Sequence, residues 1–324
     1  MPQSIRLHQV GGPEELRLEE VAVDAPGKGE VQLRHTAIGL NYIDVYDRTG
    51  LYPMALPGGI GREAAGVVVA LGPGTKGFKK GDRVAYVHTQ PGSYSELRNV
   101  PAARLVKLPR ALADEQAAAL MLKGLTAEYL LRRTCRVQRG DWILVHAAVG
   151  GVGLILCQWA KALGAKVIGV VGSEGKAELA RRNGCKHVLV MGRDDLVPAV
   201  KALTKGAGVR VVYDSVGLDT FMPSLDCLAP LGMMVTYGNA SGPPPAISPL
   251  ELAKRGSLFL TRPSLFSYIA RREDLDAAAK ALFRIVASKK VRLHIGQRYA
   301  LADAAQAHRD LEARKTTGST VLIP

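Results

Sequence analysis

One stretch constrains this chain more than any other. Val145-His146-Ala147-Ala148-Val149-Gly150-Gly151-Val152-Gly153 follows a short apolar run, "DWILV", and leads into another, "LILCQWAKALG". A strand that turns tightly into a helix beneath a flat anionic ligand needs small residues at three places. They are the turn, the spot under the ligand, and the point where helix packs on strand. Gly150 and Gly153 fill the second and third places, Ala148 stands at the first, and Gly151 adds room. The N–H groups of the helix's first turn, at Gly151, Val152 and Gly153, would then face phosphate, helped by the helix dipole.

The surroundings give this turn its meaning. From Asp141 short apolar, β-branched runs alternate with helical patterns. "WILVHA", "KVIGVVG", "HVLVM", "VRVVYDSVG", "MMVTYG" and "SLFLT" read as strands. "GLILCQWAKALG", "GKAELARRNG", "DDLVPAVKALT" and "TFMPSLDCLAPLG" read as helices, the first two closed by Gly164 and Gly184. Apolar strands of this kind are covered on both faces, so the alternation predicts a parallel sheet wound with helices on both sides, a dinucleotide-binding fold. Residues 1 to about 110 are β-rich with Gly and Pro punctuation, and from Asp114, a predicted N-cap, the stretch "DEQAAALMLKGLTAEYLLRR" has helical spacing. The tail, a helix in "EDLDAAAKALFRIVASKKV" and a strand in "STVLIP", is expected to return to the first domain.

The end of the second predicted strand chooses between nucleotides. NAD is held there by a carboxylate that accepts from the ribose 2′-OH. Here Gly172 and Ser173 stand in that place, with Glu174 beyond and Lys176 and Arg181 following. Donors and positive charge suit a 2′-phosphate, which points to NADPH.

The length of 324 residues suggests two domains, and no apolar run reaches a membrane span. The first 20 residues carry no signal-peptide core, and the four cysteines form no Cys-x-x-Cys pair, so a cytoplasmic protein with reduced thiols is expected. The net charge of +14 keeps an RNA-binding or cofactor-bound structural protein in view as an alternative. The basic residues are dispersed, however, and neither an RNP-type motif nor an aromatic stacking array accompanies them, so nucleic acid is not the expected partner.

"GLNYIDVYDRTGLYP", "GREAAGVVVALGPG", "GDRVAY", "MLKGLTAEYLL", "HAAVGGVGLILCQWAKALGA" and "VVYDSVG" together resemble the medium-chain dehydrogenase/reductases. Within these the chain is most similar to the zinc-independent NADPH:quinone oxidoreductases, the zeta-crystallin-like branch, over nearly its whole length. The resemblance implies an α/β protein. A GroES-like β-rich catalytic domain would comprise 1–122 and 274–324, and a doubly wound Rossmann domain 123–273. Zinc-dependent members carry a Cys and a His-Glu pair where this chain has Asn41 and Arg62-Glu63, and the structural-zinc lobe is missing. No metal is therefore expected. His88, His146 and His187 read as strand or surface residues.

The resemblance also implies roles. Asn41, Tyr42 and Tyr46 would lie beside the nicotinamide, and Tyr46 and Tyr52 would line an acceptor pocket. Lys123, Thr126 and Tyr129, on one helical stripe, would flank nicotinamide and phosphate. The implied catalytic group is Asn41, Tyr46, Tyr52 and Thr126, with Asp44 a structural hydrogen-bond partner. Val216, Gly238, Asn239, Ala240, Ser241, Pro263, Ser264, Leu265 and Phe266 would meet the cofactor, and Arg314 would reach its adenosine phosphate. Met191 replaces a Tyr of related chains near the adenosine. The implied reaction is hydride transfer from NADPH to a quinone, with reduction of the C=C of a conjugated carbonyl as the alternative. A homodimer is implied, with "GSLFLTRP" at its interface.

Overall fold

The computed structural model describes residues 1–324 in two compact units. The first comprises residues 1–125, 269–283 and 293–324, the second residues 126–268 and 284–292. The first break lies at 125/126, where 122/123 was expected. The second is less simple, because 284–292 group with the second unit.

The second unit is built on a six-stranded sheet in which every pairing is parallel. Its spatial order is Cys185–Val190, Lys166–Val171, Trp142–Val145, Val209–Asp214, Leu228–Thr236 and Phe259–Thr261. In sequence terms that is 3-2-1-4-5-6, so the winding reverses beside Trp142–Val145, the strand that feeds the glycine turn. Ligands of doubly wound sheets bind outside the strand ends at such a reversal. Ile143, Leu144, Val167, Ile168, Val211 and Val212 are fully buried, as strands covered on both faces require. Gly164 and Gly184 end their helices in the left-handed conformation, φ +88° and +108°. The predicted helix "TFMPSLDCLAPLG" stops early, at Phe221–Asp226, and a strand begins at Leu228. Pro230 explains this, since it lacks the N–H a helix interior needs.

The first unit is mainly antiparallel. A seven-stranded sheet runs Ile295–Ala300, Ser319–Ile323, Glu30–Leu40, Glu63–Leu71, Arg83–Val87, Leu105–Lys107, with Leu97–Pro101 also pairing Glu30–Leu40. The chain's tail does return here, Thr320 opposite Leu40. The helical stretch from Asp114 is interrupted: Asp114–Ala118, Met121–Tyr129, then a wider i→i+5 turn over Leu130–Thr134. Asp114 is not the cap. The N-cap is Ala113, whose N–H donates to Gln116 Oε1 at 3.2 Å, while the Asp114 carboxylate takes Arg83 Nε at 2.8 Å and Thr36 Oγ1 at 2.7 Å. A guanidinium is a stronger partner than a helix N–H. No helix is long and apolar enough to cross a membrane.

Candidate active site

In the first unit the strand Glu30–Leu40 ends at Asn41, which caps the helix Tyr42–Arg48. Asp44 Oδ2 accepts the Asn41 N–H at 2.9 Å, closing a capping box that fixes both residues. The Asn41 side chain then donates from Nδ2 to Glu63 Oε1 at 2.7 Å. Glu63 is fully buried and takes two more donors, Lys123 Nζ at 3.1 Å and the Leu122 N–H at 2.6 Å. Lys123, also buried, donates to the Leu40 carbonyl at 3.1 Å. Gly39 makes room: a Cβ there would sit 2.3 Å from Glu63 Oε1 and 2.2 Å from the Ala118 carbonyl.

This donor set does not fit zinc, which needs thiolate, imidazole or carboxylate lone pairs converging on one point. Asn41 turns an N–H, not a lone pair, toward Glu63, and the Lys123 ammonium already neutralises the carboxylate. Arg62 points elsewhere, gripping Asp47 through Nε–Oδ2 at 2.7 Å and Nη2–Oδ1 at 2.6 Å. An ammonium–carboxylate pair thus occupies the ground of Asn41 and Glu63.

The helix Tyr42–Arg48 and the loop after it gather three phenols. Tyr42 and Tyr46 have ring centroids 5.5 Å apart, and Tyr52 meets Tyr46 edge-on at 5.3 Å. Burial raises the Tyr42 pKa, as does Glu312, while the Arg314 and Arg48 guanidiniums pull it down. Arg314 therefore acts on Tyr42, from a left-handed position (φ 58°) just past the helix Ala304–Glu312. Under the helix lies a buried chain: Tyr94 OH donates to Asp44 Oδ2 at 2.9 Å and lies 3.2 Å from His308 Nε2. Burial, then the Asp47 charge, pushes Asp44 up to about 7, against the pull of the Asn41 and Tyr94 hydrogen bonds and of Arg62. Burial, then Arg48, pushes His308 down to about 3. Tyr94, His308 and the Arg62–Asp47 and Arg48–Glu312 pairs carried no local signal.

In the second unit the tight turn is made one residue earlier than the glycine spacing suggests. Ala147, not Ala148, takes the left-handed conformation (φ 49°), and its carbonyl accepts the Gly150 N–H at 2.9 Å. Ala148 is instead pinned to the sheet, its N–H donating to the Val170 carbonyl at 3.0 Å. Gly153 cannot bear a side chain, since its Cβ would lie 2.2 Å from the Ala147 carbonyl. The helix Gly151–Ala162 opens there, and the N–H groups of Gly151, Val152 and Gly153 precede its first intrahelical bond, Leu154 N–H to Gly150. The residues thus fit a pyrophosphate. His146 is buried and bonded to Ser224 Oγ at 2.8 Å, so it belongs to the core.

Beyond the second strand Gly172 and Ser173 are exposed, a Cβ on Gly172 would meet nothing, and the Lys176 N–H closes the turn on the Ser173 carbonyl at 3.1 Å. Past the fourth strand, Asp214 Oδ1 accepts the Val216 N–H at 2.7 Å and Thr220 Oγ1 at 2.9 Å. Val216 in turn holds Ser241, whose N–H reaches its carbonyl at 2.8 Å, and Arg262 ties Gly238 O at 3.1 Å. The loop Gly238, Asn239, Ala240, Ser241 is therefore fixed against Val216 by Asp214 and Arg262, neither of which the sequence reading singled out. Pro263 and Ser264 follow Arg262 and lead into the short helix Leu265–Tyr268, which includes Phe266. Tyr129 stacks on Tyr268 at 4.3 Å and 13°, and Thr126 is buried on the same helix as Tyr129.

Two family models match the chain, "Alcohol dehydrogenase GroES-like domain" over residues 27–110 and "Zinc-binding dehydrogenase" over residues 151–284. The quinone oxidoreductase of Pseudomonas aeruginosa is 50% identical over 100% of both chains. The chain belongs to the quinone oxidoreductase family, within the medium-chain dehydrogenase/reductases. A solved structure of this family, the Escherichia coli quinone oxidoreductase complexed with NADPH, superposes with a TM-score of 0.98 at 48% identity, covering 99% of this chain and 100% of that one. The family's reach is wider than one name: a 2-haloacrylate reductase from Burkholderia sp. is 46% identical over 98% of each chain. The second matching description speaks of zinc, but its match, residues 151–284, does not include the Asn41–Glu63–Lys123 cluster, whose donors do not fit that metal.

Proposed function

We propose that this quinone oxidoreductase family member passes a hydride from NADPH to a quinone without a metal. Overall, quinone, NADPH and a proton give hydroquinone and NADP⁺. The observation that carries the reading is the Ala147–Gly153 turn opening a helix at the sheet's reversal, with Gly172, Ser173 and Lys176 at the next strand end. NADPH supplies the hydride when bound; the second unit's turn holds its pyrophosphate and the Val216–Ser241 loop its nicotinamide half. In the first unit Asn41 is fixed by its capping box at the head of the helix that carries Tyr42 and Tyr46, with Tyr52 against Tyr46. A hydride acceptor as reactive as a quinone needs positioning more than polarisation, and the phenol rings offer a flat acceptor a wall to stack on. The four cysteines are free and buried, which supports a reducing cytoplasmic setting.

The test is steady-state NADPH oxidation with a planar ortho-quinone, repeated with NADH, after dialysis against a strong chelator, and with an enone in place of the quinone. NADPH should be preferred, and the chelator should leave the rate intact. Lys176→Ala should raise the KM for NADPH by about 10- to 100-fold and leave NADH use unchanged. Tyr46→Phe and Tyr52→Phe should each change kcat/KM by less than about tenfold, since an essential proton donor would cost about 100-fold or more. No quinone turnover, or chelator inactivation with stoichiometric zinc, overturns the reading. The likeness to a 2-haloacrylate reductase favours a second reading, C=C reduction, and faster turnover of the enone than of the quinone would establish it.

We also propose a homodimer through the strand Phe259–Thr261. It is the sheet's terminal strand and shows water Phe259, 56% exposed, and Leu260. Sedimentation equilibrium should give twice the chain mass, and Phe259→Lys should halve it; a monomeric parent at micromolar concentration sinks the proposal.

A further inference from the structure

The loops after the second and third strands of the parallel sheet are joined by a pair that the glycine-turn motif does not include. Arg193 Nη1 bonds Glu174 Oε2, while Arg193 Nε and Nη2 reach Asp194 at 2.9 Å and 2.8 Å. The loop is braced from behind: Asp194 Oδ2 accepts the Val190 N–H at 2.8 Å and the Met191 N–H reaches the Val171 carbonyl at 2.9 Å. The guanidinium is thus held against the loop that follows the second strand. Both partners stay open to solvent, Arg193 at 53% and Glu174 at 62%. An ion pair so exposed adds little to stability, so the fold gives no reason for it.

Its position gives one. A carboxylate just past the second strand is the device that grips the ribose 2′-OH of NAD and repels a 2′-phosphate. Glu174 is the only acidic residue among 172–176. Left alone, it would oppose the NADPH reading on which this inference rests. We propose that Arg193 is a specificity-determining residue for the cofactor, neutralising Glu174 and presenting positive charge to the 2′-phosphate. Glu174, Asp194, Lys176 and Arg193 together sum to zero. Without Arg193 they sum to −1, facing a phosphate that carries nearly two negative charges at neutral pH. The site therefore turns net negative when Arg193 is lost, as it does when Lys176 is lost. The same arrangement makes Met191 tolerable, because the phosphate's grip comes from the neighbouring guanidinium.

The test is calorimetric binding of 2′,5′-ADP and of 5′-AMP, which differ only in the 2′-phosphate, to the full chain. The wild type should bind 2′,5′-ADP the more tightly. Arg193→Ala should weaken 2′,5′-ADP by about 10- to 100-fold and leave 5′-AMP within about twofold. Glu174→Gln should tighten 2′,5′-ADP, and the double variant should recover most of what Arg193→Ala loses, because the repelling carboxylate is gone. Unchanged melting temperatures in both exposed-site variants establish that each is folded. A wild type that does not discriminate the two nucleotides sinks the NADPH reading and this inference with it. A discriminating wild type whose Arg193→Ala variant keeps that preference, or loses both nucleotides equally, overturns the role of Arg193 alone.

Discussion

Lys123→Met should destabilise the protein by about 3–5 kcal/mol at neutral pH, the cost of stranding a buried charge. Glu63 is fully buried, and its carboxylate is held by three donors, Asn41 Nδ2, the Leu122 N–H and Lys123 Nζ. Only the last is charged. Methionine keeps much of the lysine's length and apolar stem, so packing is nearly preserved and the change isolates the ammonium. The two remaining hydrogen bonds cannot offset a full negative charge in a low-dielectric interior. The urea midpoint, with its slope, measures the loss. The double variant Lys123→Met/Glu63→Gln should recover at least half of it, since a neutral amide strands no charge and its one oxygen still accepts from either Asn41 or Leu122. A single variant that costs less than 1 kcal/mol, or a double variant no better than the single, contradicts this account of the cluster.

The cluster also shows which parts of the molecule a sequence can disclose. The turn at Gly150 and Gly153 was legible because its constraint is local: strand, small residues and helix are adjacent in the chain. Even there the spacing placed the tight bend on Ala148, whereas the backbone bends at Ala147, since the motif fixes where side chains must be absent and not which residue goes left-handed. The loss of a zinc donor set was legible from Asn41 and Arg62. What replaces it was not, because Glu63 and Lys123 meet across 60 residues. The same holds for Arg48 and Glu312, 264 residues apart, and for Tyr94 and His308, 214 apart. Such pairs are set by how helices, strands and loops distant in the chain pack together, which no window of sequence reports. Asp114 misled for a related reason. Its side chain suits an N-cap, but Arg83 and Thr36 on neighbouring strands outbid the helix end.

Asp44→Asn should become steadily less destabilising, or more stabilising, relative to the parent as pH rises from about 4 to 7. The sign follows from proton binding. Burial puts the folded-state pKa of Asp44 at about 7, against an ordinary carboxyl near 3.9 in the unfolded chain. Between these values the folded form binds the proton and the unfolded form does not. The stabilisation from the neutral acid is complete below about pH 4, is lost as pH climbs to about 7, and is flat beyond. Asparagine is neutral throughout and can keep an oxygen facing the Asn41 N–H and Tyr94 O–H. It places an amide N–H₂ where Asp44 Oδ1 is buried without a partner, a cost that does not vary with pH. The slope is therefore the readout, and it should amount to about 2–4 kcal/mol between pH 4 and 7.5. Two buried histidines run the other way. His35, pushed down to about 4, and His308, down to about 3, are neutral when folded and charged when unfolded, so their terms make stability rise toward pH 6.5. The parent's own curve is thus a sum of opposing slopes, but the histidines are common to both proteins and cancel in the difference. Urea denaturation of both at pH 4, 5.5 and 7.5 decides the matter. A difference that stays level across that range means Asp44 is ionised in the folded protein, its charge carried by Arg62 and the two hydrogen bonds, and the helix that carries Asn41 and Tyr46 is then capped by a carboxylate and not by a neutral acid.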